Sequence, residues 1–250
     1  MNHLISLAAF CSVFLSCEKP PTTYAKNLDA TDVHAPQHHW SDSTWDHARA
    51  QAQADLDWTL KKFAAGELDT LYVKLSACVP MYEDLLLHKK DSALLYASTI
   101  MKGILGNMQT VHGELETGLD NFLAALTSME EHFGINALML DGCVGVATNY
   151  ALRGDYEMAV YWQYKGINLS EILYPPGHPV YGNWHFNIAY FRSRQGDYER
   201  ALEHFLKAAA IFDQSWYKAR LVMTYERAAN ASIHLSNFDQ ARPVQSHDFT

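Results

Sequence analysis

Gly154-Asp155-Tyr156-Glu157-Met158-Ala159 returns further along the chain as Gly196-Asp197-Tyr198-Glu199-Arg200-Ala201. The phrase suits the bend between two antiparallel helices. Glycine adopts backbone angles that let the chain turn tightly. The tyrosine is expected to pack over the turn, and the small alanine to allow close helix approach. Seven residues before each glycine stands another small residue, Ala147 and Ala189. Seven after each alanine stand Gly166 and Ala208.

Weaker copies emerge once this register is fixed. Gly113-Glu114-Leu115-Glu116 is followed by Gly118, Phe122 and Ala125, with Gly106 seven residues ahead. Gly66-Glu67-Leu68-Asp69 precedes Leu71 and Leu75. Ser236-Asn237-Phe238-Asp239-Gln240-Ala241 repeats the phrase with serine for glycine. The five bends, at Gly66, Gly113, Gly154, Gly196 and Ser236, follow one another at nearly constant intervals. A fixed period of this length is the signature of a repeat architecture. The expectation is an all-α fold of about five helical hairpins over residues 44–242.

These residues resemble the tetratricopeptide repeat, in which a first and a second helix form each hairpin. The fold implied is an α-α superhelix. Tyr174-Pro175-Pro176-Gly177-His178-Pro179 resembles the connector of the kinesin-light-chain type, and Asn187-Ile188-Ala189 resembles the Asn-Leu-Ala of its first helix. The full phrase spans residues 171–212. The subtype implies no motor partner, because such repeats are widespread in bacteria.

The N-terminus reads as an address. Leu4 to Leu15 is apolar, too short to span a bilayer and of the length of a signal-peptide core. Phe14-Leu15-Ser16-Cys17 resembles the lipobox of bacterial lipoproteins, which implies cleavage after residue 16 and a lipid on Cys17. Glu18 in place of aspartate points to the outer membrane, periplasmic or surface facing, with secretion as the alternative. Residues 17–43, with Pro20, Pro21 and Pro36, read as a tether. His34, His38 and His39 fall there and read as solvated linker side chains. Pro243 lies in the first turn expected of the last helix, so residues 243–250 are expected to be an irregular tail or to continue into something further.

The composition narrows the function. Hydrophobic residues are 48% of the 250, aromatic residues 12%, and the net charge is −9. No Lys/Arg stripe offers the cationic footprint a nucleic acid needs. Cys11, Cys17, Cys78 and Cys143 show no zinc spacing. Cys78 and Cys143 read as buried thiols, with a disulfide between them left open. No GxSxG, GxxxxGK[ST], HExxH or GxGxxG motif occurs. The expectation is a protein without catalytic residues, metal or cofactor.

In this family the concave face, lined mainly by first helices, does the binding. Counting back from the bends places Asn107 there in the second hairpin, and Thr148, Asn183, Phe186, Asn187, Tyr190 and Arg194 in the third and fourth. Arg227 and Asn230 fall there in the fifth. Asparagines suit the backbone of an extended peptide. Tyr190 and Phe186 suit an apolar side chain, and Arg194 and Arg227 a carboxylate. Phe186 and Tyr190 stand where a chaperone-tail clamp would need Lys and Asn. The leading reading is a lipid-anchored scaffold for a protein or peptide. A sensor or regulatory module separated from its output domain is the alternative. Glycan capture is the weakest, since the six tryptophans are scattered.

Overall fold

Four glycines close four helical hairpins in the computed structural model, which describes residues 42–215 and 217–241. Gly66, Gly113, Gly154 and Gly196 have φ of 73°, 85°, 84° and 83°. That left-handed region suits glycine and strains other residues. Each bend carries the same two backbone bonds. The glycine N–H donates three residues back, to Phe63, Thr110, Ala151 and Ser193. The next N–H donates five back, from Glu67 to Lys62, Glu114 to Gln109, Asp155 to Tyr150 and Asp197 to Arg192. This is the Schellman closure of a helix C-terminus.

The described residues form nine α-helices: α1 (Asp42–Ala64), α2 (Leu68–His88), α3 (Ser92–His112), α4 (Leu115–Phe133), α5 (Leu138–Leu152), α6 (Tyr156–Leu173), α7 (Pro179–Arg194), α8 (Tyr198–Asp213) and α9 (Lys218–Ala241). No strand occurs among them. The helices divide into two compact units, Met1–Asn136 and Ala137–Thr250. None of the described helices is long and apolar enough to cross a membrane. Cys17, the leader and the tether as far as residue 41 lie outside the described residues, while Asp42 and Ser43, expected in the tether, already belong to α1.

The fifth bend is not made. α9 runs through Ser236 to Ala241 without interruption, so the described chain holds four hairpins and one further helix. Serine lacks the freedom at positive φ that the other four bends use. Its Oγ instead donates to the Ile233 carbonyl, 2.9 Å away, a bond compatible with continued helix.

In the first unit, α1, α2 and α3 share a core of Leu56, Leu71, Leu75, Val79, Tyr82, Leu94, Met101, Leu105 and Met108. Buried Asp55 is fully occupied there. It accepts from Tyr82 Oη at 2.6 Å and Gln51 Nε2 at 3.1 Å, and pairs with Lys74 Nζ at 2.6 Å. α3 and α4 meet at glycines. A Cβ on Gly118 would stand 2.9 Å from the Gly106 carbonyl oxygen.

In the second unit, Ala147, Ala159, Val160, Ile188 and Phe191 join α5, α6 and α7. Trp184 is completely buried. Its Nε1 donates to Ser170 Oγ at 2.8 Å, and its ring lies where a Cβ on Gly166 would be. Phe186 meets Phe205 edge-on, with ring centres 5.5 Å apart. Cys78 and Cys143, one in each unit, are free and buried. Burial pushes the Cys143 thiol up to about 12, so neither metal binding nor nucleophilic chemistry is favoured at this sulfur.

The repeat tyrosines reach across to the helix that follows their hairpin. Tyr156 of α6 leans on Phe191 of α7, 6.5 Å between ring centres. Tyr198 of α8 stacks on His234 of α9 at 4.4 Å.

Candidate functional site

In the second unit the first helices of the hairpins are α5 and α7, and α9 follows in the same position. Counting back from Gly154 along one helix face gives Leu152, Thr148, Val144 and Asp141. The same steps back from Gly196 give Arg194, Tyr190, Phe186 and Asn183. Asp155 and Asp197 fix where the second helices begin. Their Oδ1 atoms accept from Met158 N at 3.0 Å and Arg200 N at 3.2 Å, each capping an otherwise unpaired helical N–H.

The expected binding residues separate by depth. Arg194, Arg227 and Asn230 are exposed, and Thr148 and Tyr190 half-buried. Arg194 Nε reaches Tyr156 Oη at 3.4 Å. Asn183, Phe186 and Asn187 are buried. Asn187 Nδ2 donates to Gln163 Oε1 at 3.1 Å, and Asn183 Oδ1 accepts from Arg220 Nε at 3.2 Å. The Arg220 guanidinium lies 4.7 Å from the centre of the Phe186 ring, a cation–π geometry. Phe186 is 2% exposed; it supports this surface from beneath and offers a ligand no ring face. Asn107 is half-buried on α3 of the first unit.

Two residues of this surface escape the count made from sequence. Arg220 precedes the fifth hairpin's expected ligand-facing positions, and only its contacts reveal it. Asp141 occupies the place of Asn183 one repeat earlier; the repeat spacing gives its position, and only its surroundings mark it out. Its Oδ1 is covered and has no hydrogen-bond partner. Burial pushes the carboxyl up to about 7.

A second polar cluster joins α6, α7 and α8. His185 Nδ1 and His204 Nδ1 lie 3.1 Å apart, and Tyr164 Oη lies 3.2 Å from His204 Nε2. Burial, then the neighbouring His204, pushes His185 down to about 4. Burial and then Lys207 push His204 down. A histidine with a lowered folded-state pKa binds its proton more readily when unfolded. Its burial therefore costs nothing above about pH 6.5 and destabilises progressively as pH falls toward 4. At most about 3 kcal/mol is expected from His185, reduced by its partial exposure. Thermal melts between pH 7.5 and 4.5 should show wild type losing more stability than His185→Gln. Parallel melting curves would remove the histidine pair from the pH response.

Among the described residues no group of three or more His, Cys, Asp or Glu has metal-binding geometry. Stacked helix pairs with polar and aromatic residues on successive first helices define a class: the protein-interaction scaffold built on helical repeats. The comparisons with known proteins then name the family. Residues 137–214, which hold both strong copies of the phrase, match the tetratricopeptide repeat family model. The likeness to that family is carried by this stretch.

Two solved structures share the fold. Both are of a Podosopora anserina protein described as a kinesin light chain with nearly identical TPR-like repeats. A single-substitution form is 13% identical with a TM-score of 0.56, covering 80% of this chain and 96% of that one. The other is 12% identical with the same TM-score of 0.56, covering 79% and 96%. At these identities the likeness is one of fold. Among curated proteins none matches in sequence.

Proposed function

We propose that this chain is a non-catalytic scaffold that holds an extended segment of another protein against its first helices, tethered to a bacterial outer membrane through a lipid on Cys17. One observation carries the reading. Thr148, Tyr190, Arg194, Arg227 and Asn230, on three successive first-helix positions, keep solvent access, while Asn183, Phe186 and Asn187 beneath them are held by neighbours. A rigid floor under exposed polar groups suits an extended backbone, because little side-chain freedom is lost when the ligand arrives. Arg194 and Arg227 would serve acidic groups and Tyr190 an apolar one.

The test is selection of short displayed peptides on the purified protein, followed by affinity measurement on wild type and a Tyr190→Ala/Arg194→Ala/Arg227→Ala variant. A loss of tenfold or more is expected, in line with the removal of interface anchors. Equal affinity for both proteins would refute the surface assignment. The tether is tested separately, by labelling cells with a radioactive fatty acid. Label on wild type but not on Cys17→Ala is expected; label on neither removes the anchor from the reading.

A further inference from the structure

Other well-covered carboxylates among the described residues are supplied with partners. Asp55 has Lys74, Tyr82 and Gln51. Asp91 is held by Arg49 Nη2 at 2.5 Å and by the N–H groups of Ala93 and Leu94 at 3.0 and 2.9 Å. Asp141 differs. It lies in the first turn of α5, and its covered Oδ1 accepts no hydrogen bond. No Lys, Arg or His is recorded in ion-pair range of it among the described residues. The residue is nonetheless only half-buried, so part of it stays open to solvent. Leaving such a group unmatched is costly.

The next repeat shows what a match looks like. Asn183, at the position equivalent to Asp141, accepts from Arg220, and that guanidinium rests on Phe186. Val180 stands as far ahead of Gly196 as Arg220 does of Ser236, so it is the counterpart of Arg220 one repeat earlier. Val180 is buried and uncharged. In the earlier repeat, then, the acceptor is retained and strengthened to a carboxylate, while the position that would supply the cation carries an aliphatic side chain.

We infer that Asp141 recognises a lysine or arginine side chain of the bound polypeptide, the ligand providing at this repeat the cation that Arg220 provides at the next. The inference rests on the proposed function, since it names the chemistry of one subsite on that surface. An arginine or lysine reaching Asp141 meets an acceptor in partly desolvated surroundings, where a charge-assisted hydrogen bond is stronger than in water. A divalent metal ion is a poorer occupant, because no second carboxylate or histidine among the described residues joins Asp141 in a ligand set.

The probe is the set of peptides selected on wild type, each basic position replaced in turn by norleucine, measured on wild type and on Asp141→Asn. The expected result is one basic position whose replacement weakens binding to wild type tenfold or more and leaves binding to Asp141→Asn unchanged within twofold. This coupling is what a double-mutant cycle isolates. Loss of the same size on both proteins, or selected peptides without any critical basic position, overturns the inference while leaving the surface in place. Peptides insensitive to the Tyr190/Arg194/Arg227 variant would overturn both. Folding of the variant has its own readout. A carboxyl raised to about 7 in the folded state loses stability as pH rises from its unfolded value through 7. Asp141→Asn should therefore melt no lower than wild type at pH 8.

Discussion

Gly118→Ala is expected to destabilise the first unit by about 2 kcal/mol, and Gly118→Val by about 4 kcal/mol. In the middle of a helix the usual sign is the reverse, since alanine is favoured over glycine by up to about 1 kcal/mol. Here space decides. A Cβ at position 118 would lie 2.6 Å from Thr110 Oγ1, 2.9 Å from the Gly106 carbonyl oxygen and 3.1 Å from Thr110 N. Two of those atoms are backbone, and Thr110 Oγ1 is itself held by the Gly106 carbonyl at 2.8 Å, so relief requires α3 and α4 to part. Gly103 is the control. A Cβ there meets only Ala125 Cβ, at 3.7 Å, an ordinary contact. Gly103→Ala should stabilise by about 0.5 kcal/mol. Urea denaturation followed by circular dichroism checks both. Equal behaviour of the two alanine variants would refute the close approach of α3 to α4.

Trp184→Ala should cost the second unit about 4 kcal/mol. The side chain is fully buried. Its removal leaves a cavity between α6 and α7 and takes the indole N–H away from Ser170, whose hydroxyl is bonded onward to the Gly166 carbonyl at 2.8 Å. Trp184→Phe keeps most of the volume and loses the hydrogen bond, so about 1–2 kcal/mol is expected. The glycine opposite supplies the check on mechanism. Gly166→Ala alone should destabilise, because the new Cβ would meet the indole ring at 2.4–2.6 Å. Combined with Trp184→Ala, it should recover part of the cavity. Additive losses in the double variant, measured by chemical denaturation, would show that the pair does not pack as described.

The hairpins were legible because glycine and spacing are local signals. Gly154 and Gly196 announce the bend, and the small residues at fixed distances from them announce close packing. Gly166, expected small from spacing, is small because Trp184 fills the site, a fact no local pattern carries. The weak copies at Gly66 and Gly113 close their helices with the same backbone bonds as the strong ones. What they lack is the aspartate cap: Glu67 and Glu114 make no side-chain cap bond, their carboxylates being one methylene further from the backbone.

Ser236 misled for the opposite reason. Asn237, Phe238 and Asp239 are near-equivalents of the phrase's Asp, Tyr and Glu and Ala241 is identical to it, but serine replaces the glycine, the residue that sets φ. The candidate surface residues fall on α3, α5, α7 and α9, yet their depth was not legible. Phe186 and Tyr190 lie one turn apart on α7, and neighbouring helices cover the first fully and the second only in part. Asp141 went unnoticed because a single carboxylate in a sequence announces nothing; its meaning lies in the partner it lacks.

The four bends have a consequence for how such a chain diversifies. Each is closed by a glycine and two main-chain hydrogen bonds, so the joint is indifferent to what the adjoining helices display. A lineage could exchange the residues that meet the ligand, or duplicate a whole hairpin, without redesigning the corners. The corner and the helix surface it joins are thus separable parts.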